Sequence, residues 1–276
     1  MATVSWITED RRRMLHPVYR VDDLDESIEF YKKAFGMKLH RRRDVPEEKY
    51  SLAFLGYGDE KSNTSLELTH NHGKRGYDKG AGFGHFALAS TDIYKMAEHI
   101  KTAGGSISRE PGPVKGGTTH IAFVKDPSGY SFELVQREKE SREPLNHIML
   151  RVGNLDKSIE FYTKVLGCRL IRRSENPDNR YTLVFLGYDD EGTGTQFELT
   201  YNWDTHSYDL GDAYAHVALA TDDVYKTAEQ VRAAGGKVVK EPTALPGLGT
   251  KIMALTDPDG YKIVFVDNKD FLKELE

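Results

Sequence analysis

One spacing runs through the whole chain, because the same segments recur 131 residues further on without a gap. Ser-Ile-Glu-Phe-Tyr occurs at 27–31 and again at 158–162, and Asp-Pro begins at Asp126 and again at Asp257. Self-similarity at a constant period marks repeated structural units. The sequence therefore predicts two tandem domains, residues 14–138 and 145–270, joined by a charged linker that ends in proline.

Each copy divides again into two similar modules. In the first module, apolar residues at helical spacing begin at Leu24, and Gly36 ends the helix. In the second, a similar helix begins at Ile93 and ends at the Gly-Gly pair 104–105. Short β-prone runs such as 51–55 and 121–124 follow each helix and are separated by turn residues. The pattern predicts an α+β fold made of four βαβββ modules.

Composition limits the partners and the compartment. The chain has 276 residues and a net charge of −5, which argues against nucleic acid and anionic membranes as partners. The arginine runs at 11–13 and 41–43 are short, and we interpret them as solvated faces. A single cysteine, Cys168, excludes an internal disulfide. Because the start lacks the apolar stretch of a signal peptide, a cytoplasmic protein is expected.

Histidine and glutamate recur at equivalent places in modules that otherwise differ widely. Each module opens with one strand histidine, and three of the four close with a strand glutamate, whereas the fourth has valine. These residues are His16, His85, His147 and His216, then Glu67, Glu133, Glu198 and Val264. A glutamate between apolar strand residues faces away from them, and inside a cavity it needs a partner or a metal ion.

Such a set predicts a metal site. Two histidines and two glutamates suit a six-coordinate divalent ion with two positions open for water or substrate. Spacing alone leaves the grouping open. Either each half builds its own site, with His16, Glu67, His85 and Glu133 as the complete set, or sites form between the halves.

Several segments resemble the glyoxalase I (lactoylglutathione lyase) family of the vicinal oxygen chelate superfamily, in its fused two-domain form. The resemblance extends over roughly residues 14 to 270, and the segments that carry it are residues 15–21 (LHPVYRV), 65–69 (SLELT), 82–88 (GFGHFAL), 113–118 (PVKGGT), 146–152 (NHIMLRV) and 197–203 (FELTYNW). The resemblance implies two tandem vicinal oxygen chelate domains, in agreement with the modules described above. It also implies isomerisation of the hemithioacetal of methylglyoxal and glutathione to S-D-lactoylglutathione through an enediolate.

The resemblance further implies metal sites that lie between domains. One complete ligand set would then be His85, Glu133, His147 and Glu198. The other set, His16, Glu67 and His216 with Val264, would lack one carboxylate. In this family pattern Glu133 is the expected catalytic base, and Glu198 is the second carboxylate that acts on the substrate.

Substrate contacts also follow from the resemblance. Arg151, Asn202, Lys115 and Gly116 are the expected glutathione-binding residues. The short loops favour Ni²⁺ or Co²⁺ as the single ion, with Zn²⁺ and Mn²⁺ as alternatives. Because the fused halves cover each other's partner surface, a monomer is expected.

Three other functions compete with this interpretation. An iron-dependent dioxygenase of the same superfamily uses two histidines and one carboxylate, so the second glutamate argues against it. A methylmalonyl-type epimerase requires a coenzyme A groove, whereas Arg151 and Asn202 favour glutathione. A metabolite-sequestering module does not require the retained His–Glu set.

Overall fold

The structure is a computed structural model that describes residues 3–115 and 117–276. A short helix α1 (Thr3–Glu9) precedes four modules that each have the order strand, helix and three strands. Modules one and two are β1 (Met14–Arg20), α2 (Leu24–Phe35), β2 (Lys38–Val45), β3 (Tyr50–Gly56) and β4 (Ser65–Asn71), then β5 (Phe83–Ser90), α3 (Ile93–Thr102), β6 (Ser106–Pro113), β7 (His120–Lys125) and β8 (Ser131–Gln136).

Modules three and four repeat this order, and a last helix closes the chain. They are β9 (Leu145–Arg151), α4 (Leu155–Glu160), β10 (Arg169–Asn176), β11 (Tyr181–Gly187) and β12 (Gln196–Asn202), then β13 (Tyr214–Thr221), α5 (Val224–Ala233), β14 (Lys237–Ala244), β15 (Lys251–Thr256), β16 (Lys262–Asp267) and α6 (Asn268–Glu274). The predicted α+β fold of four βαβββ modules is confirmed.

The sheets join modules from different halves of the chain. One eight-stranded sheet has the order β14-β15-β16-β13-β1-β4-β3-β2, and the other has the order β10-β11-β12-β9-β5-β8-β7-β6. Antiparallel pairing of β1 with β13, and of β5 with β9, links the modules at the centre of each sheet. Module one therefore shares a sheet with module four, and module two shares the other with module three.

Local signals fix the helix ends. The Asp23 side chain accepts a hydrogen bond from the backbone N–H of Glu26 and so caps the start of α2. Gly36 ends that helix with a left-handed φ of 68°, a conformation that glycine adopts without steric cost. The apolar face of α2 packs inward, and the Tyr31 ring meets the Phe132 ring of β8 at 5.7 Å. Tyr31 of this helix therefore reaches across to β8 of module two, while the helix itself packs on β3 of its own module and on α3.

The N-terminal segment is anchored by a buried arginine. Arg12 forms an ion pair of 2.7 Å with Asp10, and the two side chains are 2% and 0% exposed. The same guanidinium donates to the backbone oxygen of Leu166 and to Gln230, both at 2.9 Å. Interpreting the 11–13 run as a solvated face was therefore wrong at Arg12, because this group fixes the segment against the second half of the chain.

The second arginine run is also more than a solvated face. Arg41 lies over the Phe54 ring at 3.8 Å and pairs with Glu60 at 3.0 Å. A guanidinium stacks on an aromatic ring while its N–H groups bind a carboxylate. The solvated-face interpretation was wrong at Arg41 as well, since this side chain packs on Phe54 and pairs with Glu60.

Within the described chain, none of the helices has the length and apolar character needed to cross a bilayer.

The two Asp-Pro turns place buried carboxyl groups next to tyrosines. Asp257 accepts hydrogen bonds from the Tyr162 hydroxyl at 3.1 Å and from the Tyr261 backbone N–H at 2.8 Å. Burial, reinforced by the charge of nearby Asp259, raises the pKa of Asp257 to about 7. At the equivalent turn, burial raises the pKa of Asp126 to about 6.

We expect the carboxyl group of Asp257 to make the free energy of unfolding fall as pH rises. The unfolded pKa is about 3.9, so between about pH 4 and about pH 7 the folded state holds the proton more tightly than the unfolded chain. The contribution of Asp257 to the free energy of unfolding is therefore full at the acid end of this window and is lost as pH rises through about 7. Asp257→Asn should flatten the decline by an amount on the order of a few kcal/mol.

Chemical denaturation at the two ends of this window measures the effect. Asp178→Asn is the control, because Asp178 is exposed and lies in the loop between β10 and β11. An unaltered decline in Asp257→Asn would contradict the assignment of this pH dependence to Asp257.

Candidate metal centre

The centre of the second sheet brings two histidines together. His85 lies on β5 and His147 on β9, and the antiparallel register places Ala87 opposite His147 and Met149 opposite His85. Both histidines are buried, and their Nε2 atoms are 3.2 Å apart. Since neighbouring residues such as Phe86 and Ile148 point into the core, strand alternation turns both imidazoles to the opposite face.

A carboxylate from the strand next to each histidine completes the group. Glu133 on β8 pairs in register with Ala87, and Glu198 on β12 pairs with Met149. The Glu133 Oε2 atom lies 3.4 Å from Nε2 of His85 and 3.3 Å from Nε2 of His147. Glu198 Oε2 lies 2.9 Å from Nε2 of His147 and 3.9 Å from Nε2 of His85. The four side chains therefore converge from both halves of the chain.

The donor set fits a divalent cation. One ligand atom from each of the four residues lies within 4.8 Å of all the others. Within residues 3–115 and 117–276, this is the one cluster of three or more such side chains close enough to share an ion. Two imidazoles with facing Nε2 atoms cannot both direct a proton at each other, whereas a cation between them would satisfy both lone pairs.

The tautomer of His147 agrees with this role. Its Nδ1 atom lies 2.8 Å from Oδ1 of Asn146, an oxygen that can only accept, so in the neutral ring Nδ1 carries the proton and Nε2 has the lone pair that a metal ion would take. A hydrogen bond to the second ring nitrogen orients metal-binding histidines in general. The sequence interpretation missed Asn146, although the signal was present in its position directly before His147.

The histidines and glutamates of this cluster shift one another's pKa values. Burial alone would lower the pKa of His147, but the carboxylates of Glu198 and Glu133 outweigh it and raise the pKa to about 9. Burial opposes ionisation of Glu133 and Glu198 too, yet the histidines overcome it and hold both carboxyl pKa values below the usual range. The site thus favours carboxylates that stay ionised, as metal ligands must be.

A cavity of about 790 Å³ opens above these four residues. Lys115, Arg151 and Asn202, the glutathione contacts that the resemblance implies, line it. Arg151 also donates to the backbone oxygen of Ala81 at 2.9 Å, which holds its guanidinium at the wall. Gly116 lies outside the described residues.

One lining residue had not been singled out from the sequence. Arg172 lies over the Phe185 ring at 4.1 Å, and that ring packs edge-on against His147 at 5.3 Å between centroids. The same arrangement of Arg41 and Phe54 occurs at the equivalent place in the first sheet. The repeat itself was the available signal, because Arg41 and Arg172 occupy the same position in the two copies.

The first sheet holds the corresponding incomplete set. His16 Nε2 lies 3.1 Å from Glu67 Oε2, and Val264 occupies the place of the missing carboxylate next to Ala218. Burial lowers the pKa of His216 to about 3, so this imidazole is neutral at physiological pH. The second sheet therefore has four converging donors, whereas the first has Val264 in the place of one of them.

Comparison with known proteins adds an independent finding. The family model described as Glyoxalase/Bleomycin resistance protein/Dioxygenase superfamily matches residues 13–134 and 144–265. The lactoylglutathione lyase GLX1 of Arabidopsis thaliana is 56% identical over an alignment of 277 positions that covers 99% of this chain and 98% of that protein. The solved structure of glyoxalase I from Zea mays superimposes with a TM-score of 0.96 at 57% identity and covers 98% of each chain.

A shorter relative corresponds to half of this chain. A probable lactoylglutathione lyase of Vibrio cholerae is 57% identical over 127 residues, which are 46% of this chain and 92% of that protein. One of the two copies thus spans nearly the whole length of the bacterial relative.

Proposed function

The chain belongs to the Glyoxalase/Bleomycin resistance protein/Dioxygenase superfamily, and from this membership we propose that it is a lactoylglutathione lyase. It isomerises the hemithioacetal of methylglyoxal and glutathione to S-D-lactoylglutathione and so removes methylglyoxal. The observation that supports this most is the convergence of two histidines and two glutamates, within 4.8 Å of one another, beneath a cavity of about 790 Å³.

His85, Glu133, His147 and Glu198 hold one divalent ion in this proposal. Two imidazole nitrogens and two carboxylate oxygens are donors that would suit Ni²⁺ or Co²⁺, with Zn²⁺ and Mn²⁺ as alternatives. When bound, the ion acts as a Lewis acid that stabilises negative charge developing on the substrate oxygens.

Glu133 is the base that moves the proton. Its side chain is 13% exposed towards the cavity, compared with 7% for Glu198, and it lies further from His147. Glu198 is held more firmly, because it also accepts a hydrogen bond from Thr200 at 3.2 Å. Glu133 takes the proton from the carbon that is bonded to sulfur. It returns this proton to the adjacent carbon, which was the ketone carbon of methylglyoxal, while Glu198 remains in place as the second carboxylate.

The surroundings position the substrate and exclude water. Arg151 and Lys115 supply positive charge for the glutathione carboxylates, and Asn202 and Gly116 supply polar groups along its backbone. Phe123 and Phe185 pack edge-on against His85 and His147 and keep the reacting carbons in apolar surroundings. The substrate is small and neither nucleic acid nor membrane is involved. The enzyme acts as a cytoplasmic monomer.

Product formation tests the proposal. Purified protein loaded with Ni²⁺ should form the thioester from methylglyoxal and glutathione, as followed by its ultraviolet absorbance, and should form none when glutathione is omitted. A chelator should remove this activity, and added Ni²⁺ should restore it. Oxygen uptake with catechols, or epimerisation of a coenzyme A thioester, in the absence of thioester formation would overturn the proposal in favour of another branch of the superfamily.

A further inference from the structure

A second cavity of about 410 Å³ lies in the first sheet, at the place equivalent to the candidate metal centre. It is bounded by modules one and four, so it shares no lining residue with the catalytic cavity. Five basic and two acidic side chains line it, namely Arg20, Arg41, Arg43, Lys240 and Lys262, with Glu67 and Glu274. The catalytic cavity, by contrast, has four of each sign.

The two carboxylates are already occupied. Glu274 pairs with Arg41 at 3.0 Å, and Glu67 lies 3.1 Å from His16. Within the described residues, no carboxylate forms an ion pair with Arg43, Lys240 or Lys262. Burial, followed by the charges of Lys240 and Arg20, lowers the pKa of Lys262, as expected for cations that repel one another.

The two copies carry different side chains at several of the positions that line these cavities. Arg43 corresponds to Ser174, and Lys262 corresponds to Ser131, in the repeat that forms the catalytic side. The carboxylate Glu133 corresponds to Val264. The first sheet therefore has two cations where the second has serines, while Lys115 and Arg137 of the catalytic cavity correspond to the uncharged Pro246 and Asn268, so the cations of the two cavities stand at different positions. Loss of metal binding alone does not require such a change, whereas recognition of an anion does.

One side of the cavity, here called the apolar floor, is lined by apolar side chains and lies beside His16, Glu67 and His216. Val264 replaces the carboxylate, and Leu248 stands where the catalytic cavity has Gly117. Phe271 of α6 brings an aromatic ring to the same cavity and lies 6.3 Å from the His16 ring. A pocket with an apolar floor and a few convergent charged groups is the usual form of a small-molecule site.

We propose that this second cavity binds, without a metal ion, a small organic anion that carries two negative charges on an apolar body. The anionic group lies between Lys240, Lys262 and Arg43, where its charge offsets their mutual repulsion. The apolar body lies against Val264, Leu248 and Phe271. This site is separate from the catalytic one, and its occupancy does not depend on the reaction proposed above.

Calorimetry on the Ni²⁺-loaded enzyme tests this with phenyl phosphate as the probe. We expect saturable binding that is at least about tenfold tighter than that of phenol. We expect the double variant Lys240→Gln/Lys262→Gln to raise Kd by about tenfold or more, because one charge-assisted hydrogen bond corresponds to at least that change. The variant should keep its thioester-forming activity, which verifies its fold.

A matched double variant removes two cations from the other cavity. Lys115→Gln/Arg172→Gln should leave the Kd of phenyl phosphate at the second site unchanged, as should removal of the metal by a chelator. The proposal is overturned if phenyl phosphate does not bind, or if binding is lost in the Lys115→Gln/Arg172→Gln variant but kept in Lys240→Gln/Lys262→Gln. Equal affinity for inorganic phosphate would overturn the role assigned to the apolar floor.

Discussion

Glu133→Gln is expected to lower kcat for thioester formation by about 10²- to 10⁴-fold, the contribution of a well-placed general base. Glutamine keeps the size of the side chain and one oxygen near His85 and His147, which lie 3.4 and 3.3 Å from the carboxylate. It cannot take up a proton from carbon at that oxygen. Steady-state kinetics, with metal content measured on the same samples, separates loss of the base from loss of the ion.

The repeat provides a matched control for this substitution. Glu67 is also a partly exposed strand glutamate beside a histidine, with His16 at 3.1 Å, but Val264 occupies the place of the partner carboxylate on the neighbouring strand. We therefore expect Glu67→Gln to keep nearly full activity. Normal turnover in Glu133→Gln together with a collapse in Glu67→Gln would move the catalytic site to the first sheet.

His147→Ala is expected to remove the bound metal and, with it, the activity. Disruption of an outer partner of a metal ligand typically weakens metal binding by about 10- to 100-fold, and loss of a ligand itself should exceed this range. His147 contributes more than a donor atom, because its Nε2 atom lies within 3.3 Å of both carboxylates. Without it, two buried carboxylates would face a single imidazole.

Metal analysis after dialysis measures this effect. The wild-type protein should retain one ion per chain, and His147→Ala should retain almost none. His16→Ala, at the equivalent position of the first sheet, is the control and should retain one ion. Retention of the ion by His147→Ala, or its loss from His16→Ala, would contradict the proposed ligand set.

Much of the fold was predictable because the signals are local and repeated. Strand alternation, helical spacing and glycine stops such as Gly36 depend on neighbouring residues, so one copy could be checked against the other. The same repeat indicated that Glu133 and Val264 differ in function. The errors arose where a charged side chain found a distant partner, as Arg12 does at Leu166 and Gln230.

The sequence by itself determined the four βαβββ modules, the residue types available for a metal site and the position at which one carboxylate is missing. Which modules share a sheet was decided only by the tertiary structure. Chain spacing is the same whether His85 and Glu133 face His16 and Glu67 or His147 and Glu198. The choice depends on the antiparallel pairing of β5 with β9, a long-range contact between central strands that local sequence patterns do not encode.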